Sequence, residues 1–381
     1  MSELELNSRG EYVRALKEVL PEEAFSLQPR RLFWIPFHLM LIAAGVSLIL
    51  HDTSWLKNVS WLQLELPILA QVALGMMIGH SYGCLLYLGH EILHGSVIGN
   101  RKLQTVVGGF CMLPYCISPG LWRKWHNQFH HGRTTVPGDD PDYFGDVLMI
   151  RRNRPARWIA ALAPGSGYIR SWFFLGYWFS FQAMLVLFIH SIYYKYWSRS
   201  ERVVQYAYFG GAMAGWLSLA VYFGPLQFLY LYAIPMVIAN LVQMVYVATN
   251  HLKCDETPKI NDPLVNSLSV QVPGWVDWIQ LNFSYHVEHH VFPKMSPRFA
   301  PLVHDELVRL YGTRARRIPL GTALRQLYGS PAVHYGPNGL VDMRTGEVHS
   351  TLGRNGEPPR VVDHVKVPVR PPRREPKPAT V

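Results

Sequence analysis

The sequence runs to 381 residues, of which 49% are hydrophobic, 13% aromatic and only 16% charged, with a formal net charge of +10. Globular chains carry about 25% charged residues, so this balance excludes a pair of ordinary soluble domains, and whole-chain disorder with them. Basic residues beside long apolar runs suit a membrane protein with cationic flanks rather than a nucleic-acid binder. The four cysteines (Cys84, Cys111, Cys116 and Cys254) lack the spacing of a disulfide framework.

Residues 1–29 form a polar segment carrying Glu3, Glu5, Glu11, Glu18, Glu22 and Glu23, unlike a signal or transit peptide. Arg30 and Arg31 then precede an uncharged run, Leu32 to Leu50, long enough to span a bilayer core of about 30 Å at about 1.5 Å per residue. A polar connector follows (His51, Asp52, Lys57, Asn58), then a second uncharged run from Leu66 to Gly89. The two predict a transmembrane hairpin whose Arg30-Arg31 end is cytoplasmic. Residues 103–121 are broken by Gly108, Gly109, Pro114, Pro119 and Gly120, which predicts a re-entrant or interfacial segment. The stretch 122–171 is polar and arginine-rich, and Trp172 to Tyr194 is apolar and aromatic. From Val203 to Leu252 fifty residues contain no Asp, Glu, Lys or Arg, and Gly224-Pro225 divides them as the tight turn of a second hairpin would. Residues 312–381 hold twelve Lys+Arg against five Asp+Glu, with nine prolines between Pro331 and Pro378, and read as a basic, loosely structured tail. Three units result: the segment 1–29, a membrane unit 30–311 and the tail 312–381.

Nine of the seventeen histidines gather in four places. His90 and His94 form H-E-I-L-H. His126, His130 and His131 form H-N-Q-F-H-H. His286, His289 and His290 form H-V-E-H-H, and His251 closes the long uncharged stretch. On a helix, residues i and i+4 share a face, so His90 with His94, His126 with His130, and His286 with His289 or His290 can turn imidazoles toward one ion. Neutral imidazole ligates Fe, Zn and Cu, and nine ligands are more than one ion needs, so two ions are expected. His38, His51, His80 and His190 stand alone and read as interfacial polar residues.

A shared site requires all four clusters on one side of the bilayer. The number of crossings between His131 and His251 must therefore be even, yet three apolar stretches lie there. We take 172–194 as the one that does not cross, because Lys195, Arg199 and Arg202 then stay cytoplasmic. The expected fold is all-α and integral to the membrane: about four transmembrane helices in two hairpins, with a cytosolic helical cap holding the histidines.

These three histidine boxes resemble those of the membrane fatty acid desaturase superfamily, and the resemblance runs from about Leu66 to Val303. Box three is followed by Val291-Phe292-Pro293 as in many members. Tyr232-Ala-Ile-Pro-Met-Val-Ile-Ala-Asn240 and Glu201-Arg202-Val-Val-Gln-Tyr206 are similar to segments of plant-type acyl-lipid enzymes. The resemblance implies a di-iron centre held by all nine histidines, with box one serving one iron and boxes two and three shared. It implies O2 as co-substrate, two electrons from a separate ferredoxin or cytochrome b5, and a cis double bond placed in an acyl chain carried as acyl-lipid, acyl-CoA or on a carrier protein. Breaking an unactivated methylene C–H bond is beyond any side-chain acid or base and needs this cofactor chemistry. Box two departs from the usual H-x-x-H-H by one residue. The longer spacing also occurs in alkane hydroxylases, so hydroxylation at the same centre stays open. A front-end enzyme is disfavoured, since no His-Pro-Gly-Gly motif is present and box three begins with His286 rather than Gln. H-E-I-L-H is also the zincin pattern, with Glu91 as general base, but a zinc protease gives the seven other clustered histidines no role. A metal carrier would need its ligands strung along a pore.

Beside the ligands, Asn250, Asn282, Glu91 and Glu288 are candidates to support the site. Asp139, Asp140 and Asp142 either orient imidazoles or form a solvated turn. Trp122, Trp125, Tyr143 and Phe144 could line an acyl path, or belong to an interfacial belt. A bacterial inner membrane and an endoplasmic reticulum membrane both suit the sequence, with the metal face cytoplasmic and no nucleic-acid partner.

Overall fold

A computed structural model describes residues 6–50, 66–353 and 356–365. The connector with His51, Asp52, Lys57 and Asn58, the residues Glu3 and Glu5, and the last part of the basic segment lie outside the described residues. The chain is predominantly helical. A short amphipathic helix, α1 (Arg9–Lys17), buries Tyr12 and Leu16. The uncharged runs form α2 (Trp34–Leu50) and α3 (Leu66–His94), and α4 (Arg101–Met112) follows. At about 1.5 Å per residue, the 29 residues of α3 reach about 43 Å. That exceeds the hydrocarbon core, so its last turns can carry His90 and His94 beyond the apolar layer.

Three helices among the described residues are long and apolar enough to cross a membrane: Pro29–Leu50, Ile68–His94 and Pro225–His251. Two sharply bent pairs, Arg101–Tyr115 with Pro119–His130 (96°) and Ile169–Gly176 with Trp178–Tyr193 (80°), raise the number to five if each is one span. These bends fall in the two stretches expected not to cross. The helix Arg199–Phe223 has the length of a span but is less apolar, because Gly210, Gly211, Gly215 and its tyrosines dilute the aliphatic content. A capping box of Ser198 and Glu201 starts it, and Gly224, at φ 86°, ends it where Pro225 opens the next helix.

The helix Ile234–His251 packs directly along α3. The contact is set by Gly75, Gly79 and Gly83, one per turn of α3. A Cβ at Gly79 would sit 2.3 Å from the carbonyl oxygen of Pro235, and one at Gly83 would sit 2.7 Å from Val242 Cγ1. Without lipid-excluding force between apolar helices, this close backbone approach is how spans associate. It brings the ends of α3 and of Ile234–His251, which carry His90, His94 and His251, to the same level.

Over the described residues 312–353 and 356–365, the structure replaces the expected loose tail with regular elements, while 366–381 lie outside the described residues. Strand β1 (Ser269–Gln271) pairs in parallel with β2 (Arg317–Pro319). Beyond the helix Leu320–Gly329, strands β3 (Val333–His334), β4 (Gly339–Val341), β5 (Glu347–Ser350) and β6 (Val361–His364) form an antiparallel meander. Val333, Leu340, Val341 and Val348 are buried within it. Of the nine prolines, Pro331, Pro337, Pro358 and Pro359 lie among the described residues, all outside the strands, and short strands give too few residues for alternation to show. This sheet is tied to the helical body by Lys253, whose buried Nζ donates to the carbonyls of Ser330 and Pro331 (2.7 Å each), and by Arg316, which donates to Leu352 O (3.1 Å).

Candidate metal centre

All nine singled-out histidines are buried and converge. They form two groups: His90, His94, His126, His131 and His289 in one, and His130, His251, His286 and His290 in the other. The two histidines of box one share a group by the i, i+4 relation on α3. Box three rides on the short helix His286–Val291, which pairs His286 with His290 and turns His289 to the other group.

Box two departs from the expectation. The spacing predicts His126 with His130 on an α-helix. Residues Arg123–His130 instead form a π-helix, and the N–H of His131 bonds to the carbonyl of His126 (3.1 Å). The i→i+5 register puts His126 and His131 on one face and sends His130 to the second group. The extra residue of H-x-x-x-H-H is absorbed by the wider turn.

The nitrogens meet closely. His90 Nε2 lies 2.9 Å from His126 Nε2, His126 Nε2 3.0 Å from His131 Nε2, and His131 Nε2 3.0 Å from His289 Nε2. In the second group His251 Nε2 lies 2.6 Å, and His290 Nε2 3.1 Å, from His286 Nε2, and His130 Nε2 lies 3.2 Å from His290 Nε2. Ligand nitrogens about 2.0–2.1 Å from a shared ion stand about 3 Å apart at right angles. His94 Nε2 is buried without a hydrogen-bond partner among the described residues. So many converging imidazole nitrogens cannot all be satisfied by one another, since each neutral ring brings only one N–H. A cation in each group satisfies them, so the residues fit two metal ions. Burial holds His131, His286, His289 and His290 well below the usual histidine range, in the neutral form that leaves a ring nitrogen free to ligate a metal.

Other side chains aim the rings. His130 Nδ1 lies 3.1 Å from Asp140 Oδ1 and 3.2 Å from Asp142 Oδ2. Asp140 also accepts from the backbone of Thr135 (2.8 Å) and of Asp142 (2.9 Å). These acids belong to a buried orienting loop and not to a solvated turn, whereas Asp139 pairs with exposed Arg133. Burial raises Asp142 to about 6 despite the opposing pull of His130. His251 Nδ1 faces the carbonyl of Asn266 (3.2 Å), and His290 Nδ1 faces Thr134 Oγ1 (3.4 Å). The structure gives Glu91 and Glu288 other partners: Glu91 pairs with Arg31 (2.5 Å), and Glu288 accepts from Ser269 Oγ (2.6 Å) and lies 2.6 Å from His304 Nδ1. Asn282 donates to Pro297 O. Asn250 is fully buried beside His251, with neither side-chain atom partnered among the described residues. The lone histidines His38, His80 and His190 lie in neither group.

Two cavities open on this centre. One, of about 170 Å³, runs from His251, Asp140 and Asp142 between Phe144, Phe174, Trp178, Val186 and Met244. Tyr143 and Phe144 line it, whereas Trp122 stacks on His126 and Trp125 donates to Asp142 Oδ1 (2.6 Å). The other, of about 820 Å³, is open and basic: Arg9, Arg101, Arg123, Lys124 and Lys294 line it beside His94 and His131.

Helices long and apolar enough to cross a membrane, carrying at their ends two buried polyhistidine groups that fit metal ions, define the class of protein. Residues 67–319 match the family described as fatty acid desaturase, and the chain belongs to that family. It is similar to the chloroplastic omega-6 fatty acid desaturases of Arabidopsis thaliana (20% identical over 243 residues, 59% of this chain and 50% of the relative) and Brassica napus (20% over 239 residues, 59% and 51%). It is also similar to the fatty acid desaturase 2-like protein FADS2B of Mus musculus, at 22% over 332 residues, 78% of this chain and 62% of the relative. The chain spans about half the length of the plant relatives it matches.

Proposed function

We propose that the chain is an O2-dependent fatty acid desaturase that places a cis double bond in an acyl chain. The observation that carries this is the pair of imidazole groups beside an apolar cavity reaching His251. His90, His94, His126, His131 and His289 would hold one iron, and His130, His251, His286 and His290 the other. Bound iron would supply the oxygen-activating redox chemistry that removes hydrogen from unactivated methylenes. The chain's own residues do the rest. Asp140 and Asp142 fix the His130 ring through Nδ1, and the Asn266 carbonyl fixes His251. Phe144, Phe174 and Trp178 exclude water and hold one stretch of methylenes beside the histidines. Asn250, with its buried amide unpaired, is a further polar contact for the centre.

The substrate would be an acyl chain on a lipid, CoA or carrier protein. The electrons would come from a separate ferredoxin or cytochrome b5, and the basic cavity beside His94 and His131 suits an acidic partner. The histidine face would be cytoplasmic, in a bacterial inner membrane or the endoplasmic reticulum. Hydroxylation at the same centre is the second reading, and the acyl position relative to the centre would decide between them. Expression in a host of known lipid content, with fatty acids analysed by mass spectrometry, tests this. A new double bond that disappears in His289→Ala supports desaturation, and a hydroxylated product in its place refutes it.

A further inference from the structure

A separate cleft of about 190 Å³ lies between residues 150–168 and the C-terminal segment 331–344, and none of the nine histidines lines it. Its charged lining is Arg151, Arg157, Arg344 and Asp342. Arg344 Nη2 pairs with Asp342 Oδ2 at 3.0 Å, so the one acid is already engaged. Arg151 and Arg157 form no ion pair among the described residues, and both are only half-exposed. The floor is apolar: Ala160, Ala163, Ala332, Val333, Val341 and Met343. The same stretch of chain presents Trp158 (55% exposed), Ile169 (79%), Trp172 (63%) and Phe173 (68%) outward. Exposed aromatics beside arginines are the composition of the membrane–water interface. This lining suits the depth of lipid head groups.

We propose that this cleft binds an anionic membrane phospholipid, its phosphate on Arg151 and Arg157 and its glycerol and upper acyl carbons on the apolar floor. Guanidinium groups match phosphate oxygens by paired hydrogen bonds, and basic pockets at membrane level take anionic head groups in this way. A soluble phosphate would leave the floor and the flanking aromatics facing water, so a lipid is the better occupant. The site shares a wall with the acyl cavity. Ile150, Arg157 and Ala160 face the cleft, while Met149, Ala156 and Ile159 line the cavity that reaches His251. A bound lipid would brace that wall.

The test uses full-length protein in neutral detergent, and native mass spectrometry measures retained phosphatidylglycerol against phosphatidylcholine. Preferential retention of phosphatidylglycerol is expected. The double variant Arg151→Gln/Arg157→Gln should weaken it at least about tenfold at unchanged metal content. Equal retention of the two lipids, or unchanged retention in the variant, overturns the proposal. Displacement of the lipid by millimolar inorganic phosphate would assign the site to a soluble ligand and overturn it too. Should the variant misfold, photoactivatable phosphatidylglycerol on the wild-type protein decides. Cross-links in 147–168 or 331–344 support the site, and cross-links only elsewhere dismiss it. None of these readouts requires turnover, so their failure is separable from failure of the desaturase reading.

Discussion

Replacing Asp140 isolates how the centre is held together. Its carboxylate is buried and accepts from Thr135 N, Asp142 N and His130 Nδ1 at 2.8, 2.9 and 3.1 Å. Asp140→Asn keeps the shape but leaves only one oxygen for three donors, and its amide hydrogens meet donors on the other side. One buried donor left unpaired costs about 1–3 kcal/mol. Loss of the partner that orients a metal-bound imidazole lowers metal affinity about 10–100-fold, the same size by a different route. Purified variant and wild type are titrated with a chelator, and retained metal is read by elemental analysis. The variant should release metal at roughly tenfold or more lower chelator concentration, with unchanged helicity by circular dichroism. Asp139→Asn is the control, since its salt bridge to Arg133 is largely exposed and should matter little. If Asp140→Asn retains metal as the wild type does, the loop does not orient His130 and the assignment fails.

Three further outcomes follow from the packing. Gly79→Ala pushes a Cβ to 2.3 Å from a backbone oxygen and should lower stability by about 1–3 kcal/mol in thermal unfolding, whereas Gly211→Ala, with nothing within 4 Å, should be neutral or stabilising. Burial raises Glu256 to about 7, and Tyr143 donates to it. A raised acid contributes stability that is complete below its unfolded value of about 4.5 and lost as pH rises through about 7. Glu256→Gln should remove that part of the decline in unfolding temperature between those values, and an unaltered profile would refute the assignment. Deleting 331–381 removes Pro331 O from Lys253 and Leu352 O from Arg316. It should therefore destabilise the whole protein, and a deletion variant that unfolds like wild type would refute the structural role of these contacts.

The membrane helices and the nine histidines were legible because both signals are local. An uncharged run of about twenty residues has the length of a bilayer span and no charge to hold it in water, and clustered histidines are rare. The pairing within box two was not legible, since i, i+4 geometry assumes an α-helix and Arg123–His130 is wound as a π-helix. The placing of Asp142 beside His130 was not legible either, since Gln182 and Trp125 donate to it from distant positions. Arg31 and His304 claim the two glutamates inside the boxes, and neither partner is near them in sequence. The glycine stripe Gly75, Gly79 and Gly83 is visible as a four-residue repeat, but the repeat alone does not say which helix it meets. The C-terminal sheet was hidden by its own turn residues.

Each of the two imidazole groups would hold one iron. Elemental analysis of the full-length protein, purified without chelators from iron-replete cells, tests it directly. About two irons per chain are expected, falling in both His289→Ala and His290→Ala, which strike different groups. A single zinc per chain, unaffected by one of these substitutions, would contradict it.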